Sequence, residues 1–81
     1  MISCSDYDYV EIACMHRYPV RLSMKNGQKI EGTALDTTRN DVKAECIKLS
    51  QQSGERLVEL DQIASIEVLT ATPHFVTKVF S

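Results

Sequence analysis

The sequence predicts a mainly β fold of the α+β class. One N-terminal helix precedes a bent antiparallel sheet of five strands, with a sixth on offer, that forms a small open barrel. Three observations carry this reading. An acid-rich segment at 5–17 has helical spacing; period-two apolar runs begin at Val20; and turn-rich stretches at 26–27, 36–41 and 51–54 separate those runs. Eighty-one residues suit one domain with one modest core. The expected layout is a single domain over 1–81, with the helix at about 6–17, strands at about 19–69 and a tail at 71–81.

The helix comes first. Ser5 is a suitable N-cap, with Asp8 three residues on in a capping-box-like position. Asp6 and Asp8 would face the positive end of the helix dipole and Arg17 the negative end. At about 100 degrees per residue, Tyr9, Val10, Ala13 and Cys14 share one broad face, while Asp8, Glu11, Ile12 and Met15 share the other. The first face fits a core. The second mixes carboxylates with exposed apolar groups, as protein-binding surfaces often do. An acidic first turn is also ordinary helix chemistry, so the pattern alone leaves both readings standing.

From residue 18 the chain reads as strands. Val20, Leu22 and Met24 alternate with Arg21, Ser23 and Lys25. Asn26-Gly27 then gives the strongest short hairpin signal, a type I′ turn with positive φ at both central residues. The return strand, 28–35, places Ile30, Gly32 and Ala34 on one face, with Gly32 permitting a bend or close backbone approach. Residues 36–41 form a polar loop. The third strand, 42–49, changes phase: Val42, Ala44 and Cys46 share one face, Ile47 and Leu49 the other, so a bulge or strong bend is expected within it. A turn at 51–54 leads to a fourth strand at 56–60. Asp61-Gln62 breaks it, and a fifth follows at 63–69 with Ile66 and Val68 inward. Residues 75–80 offer a sixth edge strand or a loose tail.

Composition limits the function. Hydrophobic content of 43% and charged content of 25% describe an ordinary globular chain. The net charge of −2 argues against a general nucleic-acid binder. The acidity is local: residues 1–16 carry −3, whereas residues 17–81, with nine bases and eight acids, carry +1. No apolar run approaches a membrane span, and the N-terminus lacks the features of a signal peptide. Cys4, Cys14 and Cys46 are odd in number and irregularly spaced, which fits reduced thiols in a cytoplasmic protein. Cys14 and Cys46 are expected to be buried and unpaired, and Cys4 accessible.

No catalytic constellation emerges. His16 and His74 lie 58 positions apart, and no Cys/His spacing suits zinc. There is no Gly-rich phosphate loop. Asp6 and Asp8 would need a concave pocket to act as acid and base. The expectation is a non-enzyme without metal or cofactor.

Two stretches resemble known families. VRLSMKNGQKIEGTALD, residues 20–36, is similar to the first motif of Sm-like proteins: a strand, a Gly turn, a bent Gly-containing strand and an Asp. CSDYDYVEIACMH, residues 4–16, resembles the N-terminal signature of the Rof (YaeO) family, small bacterial inhibitors of the transcription-termination factor Rho. The likeness continues through the hairpin to RLVELDQIASI, residues 56–66, and spans roughly 4–68 with the tail outside it. It implies an Sm-like fold with an N-terminal helix. It also implies binding to the RNA-binding domain of Rho, which blocks RNA engagement and lets transcription read through.

Carried over by position, the expected contacts are Asp6, Tyr7, Asp8, Glu11 and Met15, with Arg39 and Asn40 of the polar loop. A monomer without direct nucleic-acid or membrane binding is expected, a homo-oligomer remaining open. Two other readings stand beside it. An Sm-like RNA-binding module would use Lys25, Lys29, Arg39, Lys43 and Lys48; a ring-forming structural subunit would pair strands between protomers.

Overall fold

The computed structural model describes residues 4–70 and 77–80, with side chains from Asp6 onward. Helix α1 spans Cys4–Met15. Ser5 therefore lies inside the helix instead of capping it, and Asp6 is the acid of the first turn, with Asp8 a step beyond it. Of the predicted inward face, Val10 and Ala13 are fully buried and Cys14 nearly so, while Tyr9 is only half-buried. Arg17, expected to act on the helix dipole, instead ends the helix. It adopts a left-handed φ of 53°. Its N–H donates to the Cys14 carbonyl at 3.2 Å, and the Tyr18 N–H donates to the Ala13 carbonyl at 3.0 Å. This double bond pattern closes the helix C-terminus and satisfies two of its carbonyls. The Tyr18 carbonyl then accepts the Ala34 N–H at 3.0 Å, which docks the helix exit on the sheet.

Strand β1 (Pro19–Met24) buries Val20 and Leu22 completely, as the alternation predicts. The hairpin to β2 forms, but not with a type I′ turn. The Gly27 N–H donates to the Met24 carbonyl and the Met24 N–H to the Gln28 carbonyl. Gly27 alone has positive φ, at 91°, and Asn26 does not. This is a three-residue loop: an ordinary β-turn through Lys25 and Asn26, followed by a left-handed residue. The Asn26 side chain supports it by accepting the Gln28 N–H.

Strand β2 (Lys29–Arg39) is longer than the sequence suggests, because 36–39 continues as strand. Gly32 has the predicted close approach: a Cβ there would lie 2.9 Å from the Ser50 carbonyl oxygen and 3.1 Å from Leu49 Cβ. The bulge expected in the third strand sits in β2 instead. Ala34 faces Leu49 but Asp36 faces Lys48, so Leu35 is the additional residue. Strand β3 (Glu45–Gln51) pairs with β4 (Gly54–Glu59) in unbroken register, from Cys46 with Glu59 to Gln51 with Gly54. Its phase is constant: Ile47 and Leu49 are buried to either side of the half-buried Lys48. Cys46 is buried beside the 40–44 loop, its Sγ 3.5 Å from the Ala44 carbonyl. Val42, placed in strand by the sequence, is in that loop and 77% exposed.

A single 3-10 turn at Leu60–Gln62 leads into β5 (Ile63–Val68), which buries Ile63, Ile66 and Val68. The sixth edge strand forms as β6 (Thr77–Val79), antiparallel to β5. The six strands make one open antiparallel sheet in the order β4-β3-β2-β1-β5-β6. Its core joins Val10, Ala13 and Cys14 of α1 to Leu22, Ile47, Leu49, Leu60, Ile63 and Ile66, with Tyr7, Tyr18, Met24 and Phe80 at the margin. Cys14 and Cys46 are free, buried thiols, as expected; the Cys4 side chain lies outside the described residues.

Candidate partner-binding surface

Because α1 sinks Val10, Ala13 and Cys14 into the core, helical geometry turns Asp8, Glu11 and Met15 outward. All three are exposed, Met15 at 74%, and Ile12 is half-buried beside them. Among the described residues, neither the Asp8 nor the Glu11 carboxylate is held in an ion pair. The helix packs against β2, with the Tyr7 hydroxyl donating to Thr37 Oγ1 at 3.2 Å. A groove between the two elements is lined by Glu11, Cys14, Met15, Arg17, Leu35, Asp36 and Thr37. It combines two carboxylates, one guanidinium and the apolar flanks of Met15 and Leu35.

The groove's field is felt by the Cys14 thiol. Burial first, and then the carboxylates of Asp36 and Glu11, push its pKa up to about 11. A thiol so raised stays protonated near neutral pH, which removes it as a nucleophile. Asp36 falls in the stretch whose composition predicts a polar loop, so its place on this surface is not legible from the sequence. Its signal was present only as the Asp that ends the hairpin motif.

The remaining expected contacts divide. Asp6 is not on the exposed face: it is 2% exposed, with Lys78 Nζ 3.7 Å from its Oδ1. Tyr7 is half-buried and holds the helix to β2. Arg39 is exposed at the end of β2, 3.8 Å from Glu45. Asn40 organises the β2–β3 loop: its Oδ1 accepts the N–H groups of Val42 and Ala44, and its Nδ2 donates to Glu59. Residues 39–42 line a further hollow with Leu57 and Glu59. Of the basic residues that an RNA-binding module would use, Lys48 lies 3.9 Å from Glu55 and Arg39 is paired as above. Among the described residues, no group of three or more His, Cys, Asp or Glu side chains could hold a metal ion. No helix among them is long and apolar enough to cross a membrane.

The site is thus a surface: an acidic, partly apolar helix face over an open antiparallel sheet. A model of the family described as "Modulator of Rho-dependent transcription termination (ROF)" matches residues 1–80, and the chain belongs to that family. The match extends into the C-terminal segment, beyond the 4–68 span of the sequence resemblance. The chain is 34% identical over 65 residues to protein rof of Escherichia coli K12, covering 79% of this chain and 75% of that protein. The same values hold for protein rof of Shigella flexneri. Its fold matches the solved structure of YaeO bound to magnesium from Vibrio cholerae O395, with a TM-score of 0.89 and 45% identity. That alignment covers 93% of this chain and 97% of the Vibrio chain. The family is one of termination modulators, not of enzymes.

Proposed function

We propose that this protein binds the RNA-binding domain of Rho through the exposed face of α1 and so keeps RNA from engaging, which inhibits Rho-dependent termination. The observation that carries the reading is the pair Asp8 and Glu11. They stand outward, without an ion pair among the described residues, on a helix whose opposite side is fixed in the core. A site that holds RNA phosphates needs basic groups. A fixed row of carboxylates competes for those groups and steers the encounter with them. Met15 adds an apolar contact next to the acids, and the groove along Leu35 and Asp36 widens the surface. Arg39 and Asn40 are peripheral contacts, with Asn40 acting chiefly by shaping its loop. Tyr7 and Asp6 serve the surface from below by holding the helix.

Purified Rho and single-stranded RNA, each presented to the protein separately, test this. Capture of Rho with no shift of the RNA is the expected result, and added RNA should compete with the protein for Rho. An RNA shift without Rho capture would favour the nucleic-acid-binding reading instead.

A further inference from the structure

The described charged group most deeply buried in this fold is Asp6, and its cation arrives from the other end of the chain. Lys78 lies on β6, the three-residue edge strand that pairs Ser65 with Val79, Ile66 with Lys78 and Glu67 with Thr77. The strand is anchored just beyond its end by the Phe80 N–H, which donates to the Ala64 carbonyl at 2.8 Å, and by the Phe80 ring at the core margin. From there the Lys78 ammonium reaches two points of α1. It lies 3.7 Å from Asp6 Oδ1 and 4.9 Å from the centre of the Tyr9 ring. Asp6 and Tyr9 are on consecutive turns of the helix, and Asp8 stands between them in sequence, facing outward.

We infer that Lys78 is a positioning residue for the partner-binding face: β6 acts as a clasp that fixes the first two turns of α1 and thereby the direction in which Asp8 is presented. The inference rests on the reading that α1 is the contact surface for Rho. Three physical points support it. Asp6 is 2% exposed, and removing one partner of a buried acid costs more than breaking an exposed pair. An ammonium over an aromatic face adds an attraction that grows as water is excluded. A helix frays at its ends, so a tether on the first two turns bears directly on the order of that end. Tyr7, bonded to Thr37 on the opposite flank, gives a second hold, and Asp8 lies between the two. Lys78 thus governs affinity without touching the partner.

The full chain carrying Lys78→Met, Lys78→Arg or Tyr9→Leu tests the clasp with two readouts: amide exchange of residues 6–10 in the free protein, and affinity for purified Rho. Lys78→Met should raise exchange in those residues at least tenfold and weaken Rho binding about tenfold, equivalent to about 1.4 kcal/mol. Lys78→Arg should restore both. In a background of Asp8→Lys, Lys78→Met should cost little further affinity, because the presented group is already gone. Tyr9→Leu keeps the ion pair and should give a two- to threefold change in both, so the test survives if Lys78→Met fails to fold. Unchanged exchange in Lys78→Met and in Tyr9→Leu would overturn the clasp. Weaker binding with unchanged exchange would also overturn it, making Lys78 a direct contact. If the wild type fails to bind Rho, the proposed function fails, while the exchange measurements still decide the clasp.

Discussion

Reversing two charges, Asp8→Lys with Glu11→Lys, separates the fold of this protein from its interface. Both residues are exposed, and neither carboxylate is ion-paired among the described residues, so their replacement breaks no contact of the sheet or core. Asp8 lies beyond the first turn of α1, where the dipole term is small, about 0.3 kcal/mol. For a domain of this size, about 4–8 °C per kcal/mol converts that loss to a shift of roughly 1–3 °C in Tm. The interface should respond far more. Close charge pairs at interfaces couple by about 1.5 kcal/mol or more, and each reversal replaces attraction with repulsion. Two reversals should therefore weaken Rho binding at least about 100-fold, equivalent to about 2.7 kcal/mol. The assay is a titration of purified Rho with wild type and variant, at low and high salt, beside a thermal melt. Wild-type binding should weaken as salt rises, since screening acts on the same attraction. A variant that melts within these few degrees and still binds Rho with wild-type affinity would refute the acidic-helix mechanism.

Other positions give independent tests. Gly32→Val should destabilise by at least about 2 kcal/mol, because even its Cβ would meet the Ser50 carbonyl oxygen at 2.9 Å; a melt that falls by less than a few degrees would contradict the close approach. Gly27→Val should cost about 1–2 kcal/mol through its φ of 91° with no clash to relieve, whereas Lys43→Gly, at a left-handed φ of 64°, should raise Tm by a few degrees. Cys14 should resist thiol reagents at pH 8 in the native protein, and rapid labelling would show that the helix does not pack as described. Its pKa is raised on folding from 9.0 to about 11, so the native state holds the proton longer; stability should fall as pH rises from 9 to 11, by up to about 2–3 kcal/mol, and Cys14→Ala should lose that slope.

The sequence by itself determined the parts whose physics is local. The spacing of Val10, Ala13 and Cys14 assigned the buried face of α1 and, by exclusion, the outward acids. The alternation of Val20 and Leu22, the Gly27 turn and the tight packing at Gly32 were equally legible, since each depends on the residue and its near neighbours. Tertiary structure decided what depends on distant partners. Residues 36–39 read as loop by composition, yet they are strand because β3 offers a register in which Asp36 pairs with Lys48 and Arg39 with Glu45. The β2–β3 loop repeats the bond pattern of the first hairpin: the Lys43 N–H donates to the Asn40 carbonyl and the Asn40 N–H to the Ala44 carbonyl. It was invisible because Lys43 occupies the left-handed position that Gly27 marks in the other. Asp6 shows the limit most plainly. Next to Asp8 in the sequence it looks like one more surface acid. In the fold it is 2% exposed, and β6 brings Lys78 to it from the far end of the chain, a partner that nothing local in the sequence signals.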